Sequence, residues 1–197
     1  MSREIISVEQ MRAIDEASAA AGIATRTLME NAGRAVAEAI AARFTARPTA
    51  VLCGPGNNGG DGWVAARHLQ AMGWPVWVET AVQAEALKGD ARDAALAWEG
   101  DVVGLGARVD EAELCVDAMF GAGIARPLDG EYARLAYLSM HAPERFVAVD
   151  VPSGLHGDNG APVGDACVFA GLTVTFVRKK PAHVLMPGRR CWSRAAL

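Results

Sequence analysis

Three short runs in this 197-residue chain concentrate the side chains that can do chemistry. They are Gly54-Pro55-Gly56-Asn57-Asn58-Gly59-Gly60-Asp61-Gly62, Asp117-Ala118-Met119-Phe120-Gly121-Ala122-Gly123 and Asp150-Val151-Pro152-Ser153-Gly154. The first satisfies the G-x-G-x-x-G pattern of dinucleotide-binding turns, with Glu79 about 20 residues further on, where such turns place a ribose-binding carboxylate. Glycine in a turn of this kind lets the backbone approach a pyrophosphate, and the free N–H groups of a helix start favour its charge. Asn57, Asn58 and Asp61 add amide and carboxylate groups that a plain pyrophosphate turn does not need, so the loop is expected to hold more than phosphate. Asp117 and Asp150, with Asn58 and Ser153, offer only oxygen donors, the type preferred by hard monovalent or divalent cations. Singly, an aspartate after a strand also serves as a helix cap or turn former, and Asp150 and Ser153 both suit that plainer role. The continuation of the second run, Gly121-Ala122-Gly123-Ile124-Ala125-Arg126-Pro127, supplies flexible backbone and one cation, Arg126, for a phosphate or for solvent.

Other reactive types are less informative. His68, His141, His156 and His183 have no partners at catalytic spacing and read as surface or internally satisfied histidines. Ser153 lacks the G-x-S-x-G surroundings of a nucleophile elbow. Lys179-Lys180 reads as a solvated strand end. Cys53, Cys115, Cys167 and Cys191 stand far apart without a Cys-x-x-Cys pair, as reduced, buried thiols of a cytoplasmic protein do. The net charge of -4, with basic residues scattered, builds no positive stripe for a nucleic acid, and no apolar run is long enough for a signal peptide or a membrane span.

The elements that must position these runs follow from periodicity. Ser7 and Gln10 form a capping box ahead of a helix from about Val8 to Ala21. Leu28, Ala32, Val36, Ile40 and Phe44 then recur every fourth residue along a second helix that the pattern carries to Arg47-Pro48. Short apolar strands are predicted at 50–53, 76–78, 114–116, 146–149 and 172–176, with helices at 63–72, near 90–98 and at 130–139. Strands alternating with helices predict a single α/β domain over 1–197, a three-layer α/β/α Rossmann-like sandwich with a mostly parallel central sheet. In such a sheet ligands sit beyond the carboxyl ends of the strands, where all three polar runs fall.

Taken in order, the three runs resemble the NAD(P)HX epimerase family, also called the YjeF N-terminal domain family. Trp63-Val64-Ala65-Ala66-Arg67 after the first run, Arg126-Pro127-Leu128-Asp129-Gly130 after the second, and Thr173-Val174-Thr175-Phe176 with Lys180-Pro181 near the end extend the likeness to about Gly188-Arg189. The resemblance implies a repair isomerase that interconverts the R and S forms of hydrated NADH and NADPH. Asn57, Asn58, Gly59, Gly60, Asp61, Gly121 to Pro127 and Asp150 would contact this small-molecule substrate, and Asn58, Asp117 and Ser153 would hold a potassium ion. It also implies a homodimer through the two amino-terminal helices, and a functional partner, an S-specific dehydratase, that in some members is fused to the chain. Asp150 is the candidate general acid/base, for hydroxyl expulsion through an iminium or for ring opening and closure. Two other readings of the same motifs are an NAD-dependent oxidoreductase and a non-catalytic nucleotide-binding or interaction module. At its end the chain departs from the family, because residues 190–197 stand where the pattern runs on into another short apolar segment. If that segment supplies a core strand, its absence would weaken the fold.

Overall fold

The computed structural model describes residues 4–196. Its centre is one seven-stranded sheet, in the order β3-β2-β1-β4-β5-β6-β7, with every neighbouring pair parallel. The strands are β1 (Thr49–Cys53), β2 (Val76–Thr80), β3 (Val102–Gly104), β4 (Leu114–Ala118), β5 (Phe146–Val149), β6 (Ala170–Val174) and β7 (Trp192–Ala196). Between and before them lie α1 (Val8–Ala20), α2 (Thr25–Ala41), α3 (Asn57–Ala71), α4 (Gly89–Leu96) and α5 (Gly130–His141).

β1 and β4 are buried along their whole lengths, as expected of inner strands covered on both faces. Successive residues of β1 therefore enter opposite cores. Val51 and Cys53 pack under α2 and α3 with Val36, Ile40, Trp63 and Leu69, while Ala50 and Leu52 face α5 with Leu135 and Ala136. This is the three-layer sandwich that the alternation of elements predicts. From β1 the chain winds outward through β2 and β3, then returns to place β4 on the other side of β1. The topological switch point is the β1–β4 junction, and the register Cys53↔Ala118 brings the first two polar runs side by side beyond it.

Four boundaries differ from the periodic reading. α3 begins at Asn57, not near Trp63, so the polar core of the first run is the opening of a helix. α2 ends at Ala41, and Phe44 is carried in the turn that follows, where its N–H donates to the Ile40 carbonyl at 2.9 Å. β3, three residues at the edge of the sheet, has too little buried surface to leave a periodic signal. β7 forms from the very residues that depart from the family pattern, and it adds a seventh strand beside β6. α1 carries the expected capping box, yet it buries none of its residues and stands on the body as a flank. Among the described residues no helix is long and apolar enough to cross a membrane.

Candidate functional site

Glycine shapes the site through contacts inside the protein. An added Cβ at Gly54 would sit 1.7 Å from the Met119 carbonyl oxygen, at Gly59 2.0 Å from the Gly54 carbonyl oxygen, and at Gly62 2.5 Å from the Ala118 methyl. These three glycines let the start of α3 settle onto the ends of β1 and β4. Gly60 is likewise filled from within, by Met29 and Ala91. Gly59 and Gly60, expected among the contacts, are buried and do not line the cleft. Gly56 alone in the loop has open space around it, and as N-cap it supplies no side-chain acceptor, so the first N–H groups of α3 have no side-chain cap.

Beyond this junction lies a cleft of about 820 Å³. α1 and α2 form one wall, and the ends of β1, β4, β5 and β6 form the floor. Of the predicted contact residues, Asn57, Asn58, Asp61, Gly121, Ala122, Gly123, Ile124 and Asp150 line it. Ala125, Arg126 and Pro127 do not; all three are exposed, and Pro127 packs on Gly164. The cation at the cleft wall is instead Arg12 of α1, whose Nη2 approaches Gly123. Glu79 is also displaced from the role its spacing suggests. It is fully buried, and its Oε1 accepts from Trp77 Nε1 at 2.9 Å and from the Arg108 N–H at 3.1 Å, away from the cleft.

Asp117 and Ser153 lie beneath the floor, both completely buried. Ser153 donates its N–H to Asp117 Oδ2 at 2.9 Å, and its Oγ lies 2.5 Å from Asp117 Oδ1 while accepting from the Phe120 N–H at 2.9 Å. The Asp117 carboxylate has no cationic partner among these bonds. Burial pushes its pKa up to about 6, against the opposing pull of the donors from Ser153 and Met119. Asn58 comes from α3 toward the second run: its Oδ1 and Asp150 Oδ2 both close on Gly121, and its Nδ2 is buried without a hydrogen-bond partner. Among the described residues no group of three or more His, Cys, Asp or Glu is clustered as for a metal. Any cation here would be met by mixed carboxylate, amide, hydroxyl and carbonyl oxygens.

Asp150 occupies the end of β5 with φ of 63°, a left-handed conformation that a side chain normally avoids. Its backbone is held there by N–H donation to the Val174 carbonyl at 2.7 Å, and by His183, whose Nε2 donates to the Asp150 carbonyl at 2.8 Å. His183 Nδ1 accepts from the Lys180 N–H at 2.9 Å, so both ring nitrogens are committed and the ring is a neutral, internally satisfied histidine, as expected. Lys180 overturns its expected place at a solvated strand end. It is 1% exposed, and its Nζ meets Asp150 Oδ1 at 2.7 Å, Thr175 Oγ1 at 3.0 Å and the Phe176 carbonyl at 3.2 Å. Burial alone would raise the pKa of Asp150. The Lys180 charge and hydrogen bond, with the Ala122 N–H at 3.0 Å, outweigh it and hold the carboxyl below its usual range.

Asp61 shows the opposite balance. No hydrogen bond reaches its carboxyl from the described residues, and burial, together with the negative charges of Asp150 and Asp15, raises its pKa well above the usual range despite Lys180. One cleft thus holds two aspartates driven apart, Asp150 below the usual carboxyl range and Asp61 above it. The sequence could not announce Lys180 or Asp15 as members of this group. Lys180 follows β6, Asp15 stands on an exposed helix, and only the folded chain brings them to Asp150 and Asp61.

Against known proteins, residues 25–182 match the model of the YjeF-related protein N-terminus. The chain is 43% identical over 194 residues to an NAD(P)H-hydrate epimerase of Rhodobacter capsulatus, covering 91% of each protein. It is 38% identical over 199 residues to the bifunctional NAD(P)H-hydrate repair enzyme Nnr of Thermofilum pendens; this covers 94% of the chain, which spans only 38% of that longer relative. The fold is shared with the crystal structure of yeast ynu0, YNL200c, at a TM-score of 0.79 and 24% identity, over 91% of this chain and 82% of the yeast one. With a family model spanning most of its length and a relative of 43% identity aligned over 91% of both proteins, the chain belongs to the family of YjeF-related protein N-terminal domains.

Proposed function

We propose that this protein is an NAD(P)H-hydrate epimerase, interconverting the R and S forms of hydrated NADH and NADPH so that an S-specific dehydratase can restore the reduced cofactors. Relatives of that printed name align with nearly the whole chain. The observation that carries the chemistry is the pair of aspartates in one cleft at the switch point, their pKa values pushed in opposite directions.

The hydroxyl-bearing carbon of the damaged ring is bonded to the ring nitrogen, whose lone pair can expel the hydroxyl once that oxygen is protonated. Asp61 donates this proton. The Asp150 carboxylate, pinned by Lys180 and Ala122, faces the cationic iminium that results and lowers its energy. The oxygen leaves as water, and water re-adds to either face of the now planar carbon. Its surplus proton returns to the carboxylates, with Asp150 as the candidate base and Asp61 regaining its own. No net redox change occurs. Arg12 and the open N–H groups of α3 are suited to the pyrophosphate, and Glu79, buried elsewhere, takes no part.

The reading includes a potassium ion held by Asn58, Asp117 and Ser153. What favours it is a buried carboxylate without a cationic partner, joined by the Ser153 hydroxyl and the Phe120 carbonyl, with the Asn58 amide oxygen close to Gly121 in the same run. Bound there, the ion would supply the missing positive charge and tie the second run to the third. We also infer a homodimer through α1 and α2, because α1 buries none of its residues and Ile14 and Ile23 are exposed; sizing by light scattering checks it. The reaction is assigned to the cytoplasm, in keeping with four free, buried thiols.

The test mixes purified protein, potassium and the R form of hydrated NADH with a separate S-specific dehydratase, and follows the return of NADH absorbance. Recovery above the spontaneous rate supports the assignment, and D61N and D150N should each lower it by about 10²- to 10⁴-fold while remaining folded. Folded wild-type protein that gives no acceleration sinks the assignment. Full activity in either variant removes that aspartate from its role.

A further inference from the structure

Away from the cleft, two of the four cysteines meet. Cys167 lies in the segment leading to β6 and Cys191 in the turn before β7, and their sulfurs are 3.5 Å apart, both reduced and both in the small core around Val151 and Leu155. A second pocket of about 220 Å³, sharing no residue with the cleft, is lined by Cys191 together with Glu144, Phe169, Arg190 and Trp192. Both cysteines are buried, and Cys191 alone of the pair lines this pocket. We propose that Cys191 and Cys167 form a hydroperoxide-reactive pair, with Cys191 attacking from the second pocket and Cys167 closing a disulfide onto it.

The division of roles follows the surroundings. A hydrogen bond from Cys167 holds the Cys191 thiol below its usual range, opposed by burial and aided by the nearby Arg190 charge, whereas the same bond and burial push Cys167 up. The Cys191 thiolate attacks the peroxide; the O–O bond breaks, an S–O bond forms, and the leaving oxygen departs as water or an alcohol after taking a proton. Cys167 then gives up its proton and attacks the Cys191 sulfur. The S–S bond forms as the S–O bond breaks, and a second water leaves. Two thiols are oxidised by two electrons and one hydroperoxide is reduced. The sulfurs must close from 3.5 Å to about 2.0 Å, a short movement for two loop residues. The pair adjoins the third polar run: the Val168 N–H donates to the Ser153 carbonyl at 2.8 Å, and Gly154 lies against the Cys167 backbone.

The experiment treats the folded, full chain with hydrogen peroxide, blocks remaining thiols with iodoacetamide and maps peptides by mass spectrometry. The expected result is a Cys167–Cys191 cross-link, reversible by dithiothreitol, with Cys53 and Cys115 alkylated only after unfolding. C167S should stop at a Cys191 sulfenic acid trapped by dimedone, and C191S should leave Cys167 unreacted. Absence of the cross-link in folded wild-type protein overturns the proposal, as does equal oxidation of Cys53 and Cys115 or reaction of Cys167 in C191S. Because the wild-type map decides by itself, poor folding of either variant does not rescue the idea.

Discussion

Replacing Lys180 by methionine removes one buried positive charge while keeping a long unbranched side chain. In the wild-type protein its Nζ satisfies Asp150, Thr175 and the Phe176 carbonyl, and the Asp150 carboxyl is only 17% exposed. Breaking a buried pair on one side leaves an uncompensated charge and costs about 3 to 5 kcal/mol at a pH where that charge persists. The pH dependence distinguishes this loss from a packing defect. With Lys180 present the folded pKa of Asp150 lies below its unfolded value, so its contribution is full above the unfolded value near 3.8 and is lost as pH falls through the folded one. In K180M burial dominates and the folded pKa rises above the unfolded one, so the variant is penalised as pH rises above about 4. The gap between the two proteins should be small near pH 4 and approach about 3 kcal/mol by pH 8, or roughly 6 to 12 °C in Tm for a chain of this size. Urea unfolding at pH 4, 6 and 8, followed by circular dichroism, reads it directly. A loss of equal size at all three values would refute the charge argument and leave Lys180 as mere filling.

G54A should lose at least about 3 kcal/mol or fail to fold, since its methyl would overlap the Met119 carbonyl, whereas G56A, with open space around it, should lose about 1 kcal/mol or less; urea melts of the two separate glycine as packing from glycine as ligand contact. Asp117, its folded pKa raised to about 6, contributes stability below the unfolded value that is lost as pH rises through 6, so potassium chloride should raise Tm more at pH 8 than at pH 5 relative to tetramethylammonium chloride. An equal rise at both values, or persistence of the difference in S153A, argues against a cation beside Asp117. E79Q should leave the ratio of rates on hydrated NADH and hydrated NADPH unchanged, because its carboxyl serves Trp77 and Arg108; an altered ratio would return Glu79 to the substrate.

Most of the sheet is legible in the sequence, because β1, β2, β4, β5 and β6 are short apolar runs closed by polar turns. β3 is not, since an edge strand of three residues carries little periodic information, and neither is β7, whose Trp-Ser-Arg-Ala-Ala owes its extended form to β6 alongside. The glycine loop is visible as a motif but ambiguous in cause. A missing Cβ serves a close ligand and a close carbonyl equally well, and only the position of Met119 separates the two at Gly54. Lys180 was hidden for a related reason. A lysine after a strand is usually solvated, and the partner that keeps this one inside is an aspartate thirty positions earlier, in the turn just after β5.

The left-handed backbone at Asp150 sets stability and chemistry against each other at a single residue. Glycine would relax that turn, relieving about 1 kcal/mol or more of strain, but it would leave the buried Lys180 charge without its partner, at a cost of about 3 to 5 kcal/mol. A lineage selected only for robustness would therefore have to lose Asp150 and Lys180 together, and would keep an intact shell without the cleft's pair of opposite charges.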